Sequence, residues 1–225
     1  MANTPLDPTE WLKKMTSEAV KQGENVRGTV RDLTLRALQQ RELSLKHIKQ
    51  VLGNVTEGAS AGLAKTKVNV EKTMSDVIDG MDEALLKAVE ANRIALEKVA
   101  EAGKDFNDSY VKKALTELEK LEDEFLKSVK QASTGASEKV QAQWGELLKN
   151  TKMAGTQSGA QATQLLENIG EQMRDNMRKT RAASLQTAHA LSQNFATFAS
   201  GILTGLSEAM QANKGKKKSG AKDEG

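Results

Sequence analysis

Apolar residues return every eleven positions along almost the whole chain, and that repeat restricts the possible folds more than any other feature. Stepping by eleven from Ala19 passes Val30, Arg41, Leu52, Leu63, Met74, Leu85, Leu96, Asn107, Leu118, Val129, Val140, Thr151, Ala162, Met173, Ser184, Phe195 and Leu206. Fourteen of these eighteen positions are apolar, where a chain that is 38% hydrophobic would give about seven by chance. A second row runs through Met15, Val26, Ala37, Ile48, Ala59, Val70 and Met81 without a miss, and a third carries Leu33, Val55, Val77, Val99, Leu121, Leu165 and Phe198. Eleven residues in three turns is about 3.67 per turn, so the stripe stays nearly straight along a relaxed α-helix with a faint right-handed drift. In residues 70–89 it consists of Val70, Met74, Val77, Met81, Leu85 and Ala88.

Proline occurs only at Pro5 and Pro8, which leaves the rest of the chain without an obligate helix breaker. Pro8, Thr9, Glu10 and Trp11 fit a first helical turn with Asp7 as its N-cap. A single helix of roughly 200 residues would span on the order of 300 Å and leave its stripe uncovered, so the chain is expected to fold back on itself. Candidate turns lie where Gly, Ser, Thr and Asn cluster: Gly53 to Gly62, Gly103 to Ser109, Gln131 to Ser137 and Asn150 to Gly159. The fold class expected is all-α, with long amphipathic helices folded into an elongated antiparallel bundle or coiled coil. Residues 1–8 are expected as a flexible N-terminus, 9–212 as the helical region and 213–225 as a disordered lysine-rich tail.

With two Trp, one Tyr and four Phe, the chain can fill thin seams between helices and not a thick interior. The segment between Arg181 and Glu208 has no charge and is the most apolar stretch, yet Gln186, His189, Ser192, Gln193 and Asn194 inside it argue against a membrane span. It reads equally as a central bundle helix or as a docking helix for an apolar surface. Gly201 and Gly205 form a GxxxG pair that would admit a close helix neighbour.

The formal charge of +3 resides in the tail, where Lys214, Lys216, Lys217, Lys218 and Lys222 outnumber Asp223 and Glu224. The body is therefore balanced and lacks the basic face of a nucleic-acid binder, so nucleic acid enters only through the tail. Arg27, Arg31, Arg36, Arg41, Lys46 and Lys49 make a modest positive patch near the N-terminus, and Arg174, Arg178 and Arg181 share a face beside Met173 and Met177. Such groups suit anionic headgroups or phosphates, or simply frame an apolar seam.

Catalytic chemistry has little to work with. Cysteine is absent, which removes disulfides, thiolate metal sites and a thiol nucleophile. His47 and His189 stand alone as ordinary helix positions, without HExxH or a flanking Asp, and no GxxxxGK[ST] or GxGxxG loop occurs. Glu117, Glu119, Glu122, Asp123 and Glu124 alternate with lysines at helical spacing, which reads as a solvated, ion-paired face. No enzyme, cofactor or metal is expected. The N-terminus lacks the features of a secretory signal, so a cytoplasmic location is the expectation.

Eleven-residue repeats with Ala, Val, Leu and Met in the stripe are similar to those of lipid-droplet coat proteins and exchangeable apolipoproteins. A cysteine-free, Ala/Gln/Lys-rich helical chain with almost no proline and a lysine-rich end also resembles the phasins, which coat polyhydroxyalkanoate granules in bacteria. The likeness covers the whole chain as texture, with GKKKSGAK standing where the family commonly has an alanine-proline-lysine tail, and it assigns no individual residue. It implies granule binding, oligomerisation and no catalysis. From the eleven-residue rows, and not from the likeness, the partner-binding stripe is expected at Val70, Met74, Val77, Met81, Leu85, Leu96, Val99, Phe195, Phe198 and Ile202. Two other readings stand beside the coat: a structural bundle or coiled-coil scaffold, its stripe satisfied by a neighbouring helix of the same chain or by a homo-oligomeric partner, and DNA tethering through the lysine tail.

Overall fold

The computed structural model describes residues 7–65, 69–101, 109–179 and 195–219, and among them every regular element is helical. The helices are α1 (Pro8–Gln22), α2 (Val26–Leu38), α3 (Leu45–Leu63), α4 (Val70–Glu101), α5 (Ser109–Glu119), α6 (Leu121–Ser133), α7 (Glu138–Ala154), α8 (Gln157–Lys179) and α9 (Phe195–Ser219).

Local chemistry sets most of the boundaries. Pro8 opens α1, and the carbonyl of Asp7 accepts the Trp11 N–H at 2.9 Å, although the Asp7 side chain makes no cap bond. Gly23 closes the helix in the left-handed conformation (φ 70°), and its N–H donates to Ala19 O. Ser44 starts α3 by accepting the His47 N–H. Lys120 alone separates α5 from α6 and keeps near-helical dihedrals (φ −90°, ψ −3°), so the two form a bent rod.

Of the four Gly/Ser clusters, two turn the chain. Thr134 to Ser137 joins α6 to α7, and Gly155 (φ 78°) with Thr156 joins α7 to α8. The cluster from Gly53 to Gly62 instead lies inside α3, and of Gly103 to Ser109 only Ser109 falls within the described residues. Breaks at Gly23–Asn25 and Gln39–Ser44 carry no comparable Gly/Ser cluster. Helix α9 continues to Ser219, beyond the Asn213 boundary expected for the tail.

Helix α4 is the axle. It packs against α2, α8 and α9 along its length and meets α3, α5 and α7 as well. Val77, Met81, Ala84, Leu85, Ala91 and Ala95 are each fully buried and share one broad apolar face of the helix, while Lys72, Glu90, Arg93 and Lys98 lie on the opposite, partly exposed side. The buried side chains of all these helices merge into one continuous core.

Two contacts bring backbones unusually close, and glycine makes both possible. A Cβ on Gly58 would lie 2.5 Å from Lys13 O, and one on Gly62 would lie 2.7 Å from Ser17 O. These contacts advance in the same direction along both helices, so α1 and α3 run parallel, with Gly58 and Gly62 as a GxxxG seat. A Cβ on Gly80 of α4 would lie 2.5 Å from Arg27 O of α2. Ion pairs flank both seats: Lys13–Glu57 at 2.7 Å beside Gly58, and Arg27–Glu83 at 2.5 Å beside Gly80. Being partly exposed, each such pair contributes at most about 1 kcal/mol and fixes register more than stability.

The seats give a clear expectation. Gly62→Val should lower unfolding free energy by about 2 kcal/mol or more through overpacking, whereas Gly53→Ala, with nothing within 4 Å of the new methyl, should raise it by about 0.5–1 kcal/mol. Urea denaturation of the two variants checks both signs.

Candidate functional site

The expected partner-binding stripe is assembled, and the chain itself covers it. Met74, Val77, Met81, Leu85, Leu96 and Val99 of α4 are at most 1% exposed, and Phe195 of α9 is 3% exposed. Val70, Phe198 and Ile202 are partly buried and pack on the same core. Other positions of the eleven-residue rows, Leu52, Leu63, Leu118, Val129 and Val140, are buried as well. Arg41, a polar member of the first row, falls in the α2–α3 connection, where there is no helix for the row to follow.

Several polar groups inside this core are held by hydrogen bonds, while the hydroxyls of Thr16 and Thr34 are buried without a partner among the described residues. Trp144 of α7 is fully buried and its Nε1–H donates to Ser60 Oγ at 3.0 Å; the Ser60 hydroxyl donates to Thr56 O at 2.8 Å. Asn92, in the C-terminal half of α4, donates from Nδ2 to Ala88 O at 2.9 Å. A cavity of about 140 Å³ lies beside it, between the α2–α3 connection, α4, α5 and the start of α9, with Asn92, Lys113 and Glu117 among apolar neighbours such as Leu118 and Phe195. Its volume suits a few waters or one small ring.

The acidic cluster departs from the solvated face expected for it. Glu119 and Asp123 are exposed, but three of its carboxylates tie helices together. Glu117 Oε2 accepts the Leu45 N–H at 3.1 Å, Glu122 Oε1 accepts the Thr156 N–H at 2.7 Å, and Glu124 pairs with Lys49 at 2.5 Å. Lys49 holds the Glu124 carboxyl below its ordinary range. Helical spacing shows which side of α5–α6 these residues occupy and not that α3 and α8 lie against it. Among the described residues no group of three or more His, Cys, Asp or Glu is placed to hold a metal ion.

The N-terminal basic patch is largely engaged. Arg27 and Arg31 pair with Glu83, Lys49 with Glu124, and Arg36 lies over the Trp11 ring at 5.0 Å from its centroid. Arg41 and Lys46 stay exposed. Lys214, Lys216, Lys217 and Lys218 belong to α9 by backbone, while their side chains, like Lys222 and the side chains of Arg174, Arg178 and Arg181, lie outside the described residues, as does His189. Gly201 and Gly205 face open space, with nothing within 4 Å of where a Cβ would lie at either position; the close GxxxG seat is at Gly58 and Gly62. Among the described residues no helix is long and apolar enough to cross a membrane.

His47 is half-buried, with Nε2 at 3.0 Å from Ala37 O, and burial is the main cause of its lowered pKa. Because the folded state disfavours the imidazolium, the unfolded chain takes up the proton first. This destabilising contribution is absent well above pH about 6.5 and grows as pH falls below it. His47→Gln should therefore flatten the loss of stability between about pH 7 and pH 5.5, read from urea midpoints; an unchanged slope would contradict that role.

No curated protein and no solved structure matches the chain. A family model does, over residues 3–212, and by that match the chain belongs to the Family of unknown function DUF6781.

Proposed function

We propose that the protein is a non-catalytic coat for an apolar surface, a polyhydroxyalkanoate granule or a lipid body, and that it stores its stripe in a closed bundle until such a surface replaces the cover. The observation that carries this reading is the mismatch between α4 and its outer wrapping. Helix α4 buries a continuous apolar face from Met74 to Val99, whereas α7, which helps to cover the bundle, buries only Val140, Trp144 and Leu148 among its residues and leaves Met153 87% exposed. Exchanging a helix for another apolar phase changes little for the stripe, since both remove it from water. A surface that binds the open form better shifts the population toward it. Self-association on the surface fits the same picture.

A scaffold function is the second reading, favoured by the completeness of the internal cover. Each stripe residue buried at this depth contributes roughly 1.5–3 kcal/mol for Leu, Val or Met, which stabilises a closed bundle without any partner.

Purified protein mixed with phosphatidylcholine-coated triolein droplets or with polyhydroxybutyrate particles should leave the supernatant in a saturable way while keeping its helix content. No depletion, together with a fixed oligomer mass, would support the scaffold reading. Replacing Leu85 or Leu96 by Lys is a poor substitute for this experiment, because both side chains are at most 1% exposed and the charge would break the closed bundle too.

A further inference from the structure

At the α7–α8 junction, three helices contribute to one set of hydrogen bonds. Glu122 Oε1 of α6 accepts the Thr156 N–H at 2.7 Å and the Thr156 hydroxyl at 3.0 Å. Asp82 of α4 accepts the Gln157 N–H at 2.8 Å and the Ser158 N–H at 3.0 Å, one on each carboxylate oxygen. Thr156 Oγ1 in turn accepts the Gly159 N–H at 3.0 Å. The amide donors that begin α8, which its own ladder cannot use, are thus taken in succession from Thr156 to Gly159.

The seat is shaped for these carboxylates. Gly155 turns the chain with φ 78°, and a Cβ on Gly159 would fall 2.7 Å from Glu122 Cδ. Asp82 is 8% exposed, and among the described residues neither Asp82 nor Glu122 has a cationic partner within ion-pair distance. Their charge is met by amide dipoles at the positive end of α8. A carboxylate as buried as Asp82 is costly without its donors, so lifting the first turn of α8 away would strand it.

What lies on either side of this contact differs in anchorage. The α1–α3 pair is interlocked at Gly58 and Gly62, and α4 is locked to α2 at Gly80. Helix α7 hangs chiefly on Trp144 and two aliphatic neighbours. We infer that Asp82 and Glu122 form a latch that holds the α7–α8 strap shut over the apolar faces of α4 and α6, and that its release opens the strap while the α1–α4 body stays folded. The use of such an opening rests on the coat reading; its existence does not.

The test uses the full chain. Asp82→Asn with Glu122→Gln keeps the side-chain shapes and removes the charges, and Trp11→Phe leaves Trp144 as the only tryptophan of the two. The latch variant should show red-shifted, acrylamide-accessible Trp144 emission, and amide exchange in α7 and the start of α8 should quicken roughly tenfold or more, with α1–α3 unchanged. The control pair Glu119→Gln and Asp123→Asn, on exposed positions of the same segment, should change neither signal. A shielded Trp144, or protection lost equally in every helix, would overturn the latch. Phosphatidylcholine-coated triolein droplets then separate the two ideas: a variant that opens in solution but adsorbs no faster than the wild type upholds the latch and removes the coat function.

Discussion

The structure depends on keeping the apolar face of α4 out of water. Helix α4, 32 residues long, buries one broad apolar face and carries charged residues such as Lys72, Glu90, Arg93 and Lys98 along the other, so its neighbours must gather on the apolar side. That requirement sets the order of the architecture. Helices α2, α8 and α9 lie along α4, and the remaining helices support them. The scarcity of aromatic residues fits such a design, since Ala84, Ala88, Ala91 and Ala95 let neighbours approach α4 without thick side chains between them.

The cover is not uniform in strength. On one side, glycine seats at Gly58, Gly62 and Gly80 bring main chains into contact and ion pairs fix their register. On the other, α7 and the start of α8 are held by one buried tryptophan and by carboxylates reaching from α4 and α6. Dispersion grows steeply at close approach, so the glycine side is the stiffer layer. A bundle with one stiff and one lightly held layer has a preferred place to open, and that is what a protein that stores an amphipathic stripe requires.

The sequence makes the helical class and the buried rows legible, because a 3.67-residue period survives any arrangement of helices that lets the stripe face a partner. Leu52, Leu63, Met74, Leu85 and Leu96 follow it into the core without interruption. What covers the stripe was not legible, since periodicity records that a face is apolar and not what meets it. Glycine was ambiguous for the same reason: Gly155 ends a helix, while Gly58 and Gly62 deepen one, and only the helix opposite distinguishes them. Asp82 gave no signal at all, as one acidic residue within a helix looks like any solvated position until α8 is placed above it.

The most direct measurement is amide exchange across α4 in the full-length protein, followed as the protein is diluted. A stripe covered by its own chain should keep the same protection from Val77 to Leu96 at every concentration. Protection that falls away on dilution would mean that a sister chain supplies the cover, and would contradict the account.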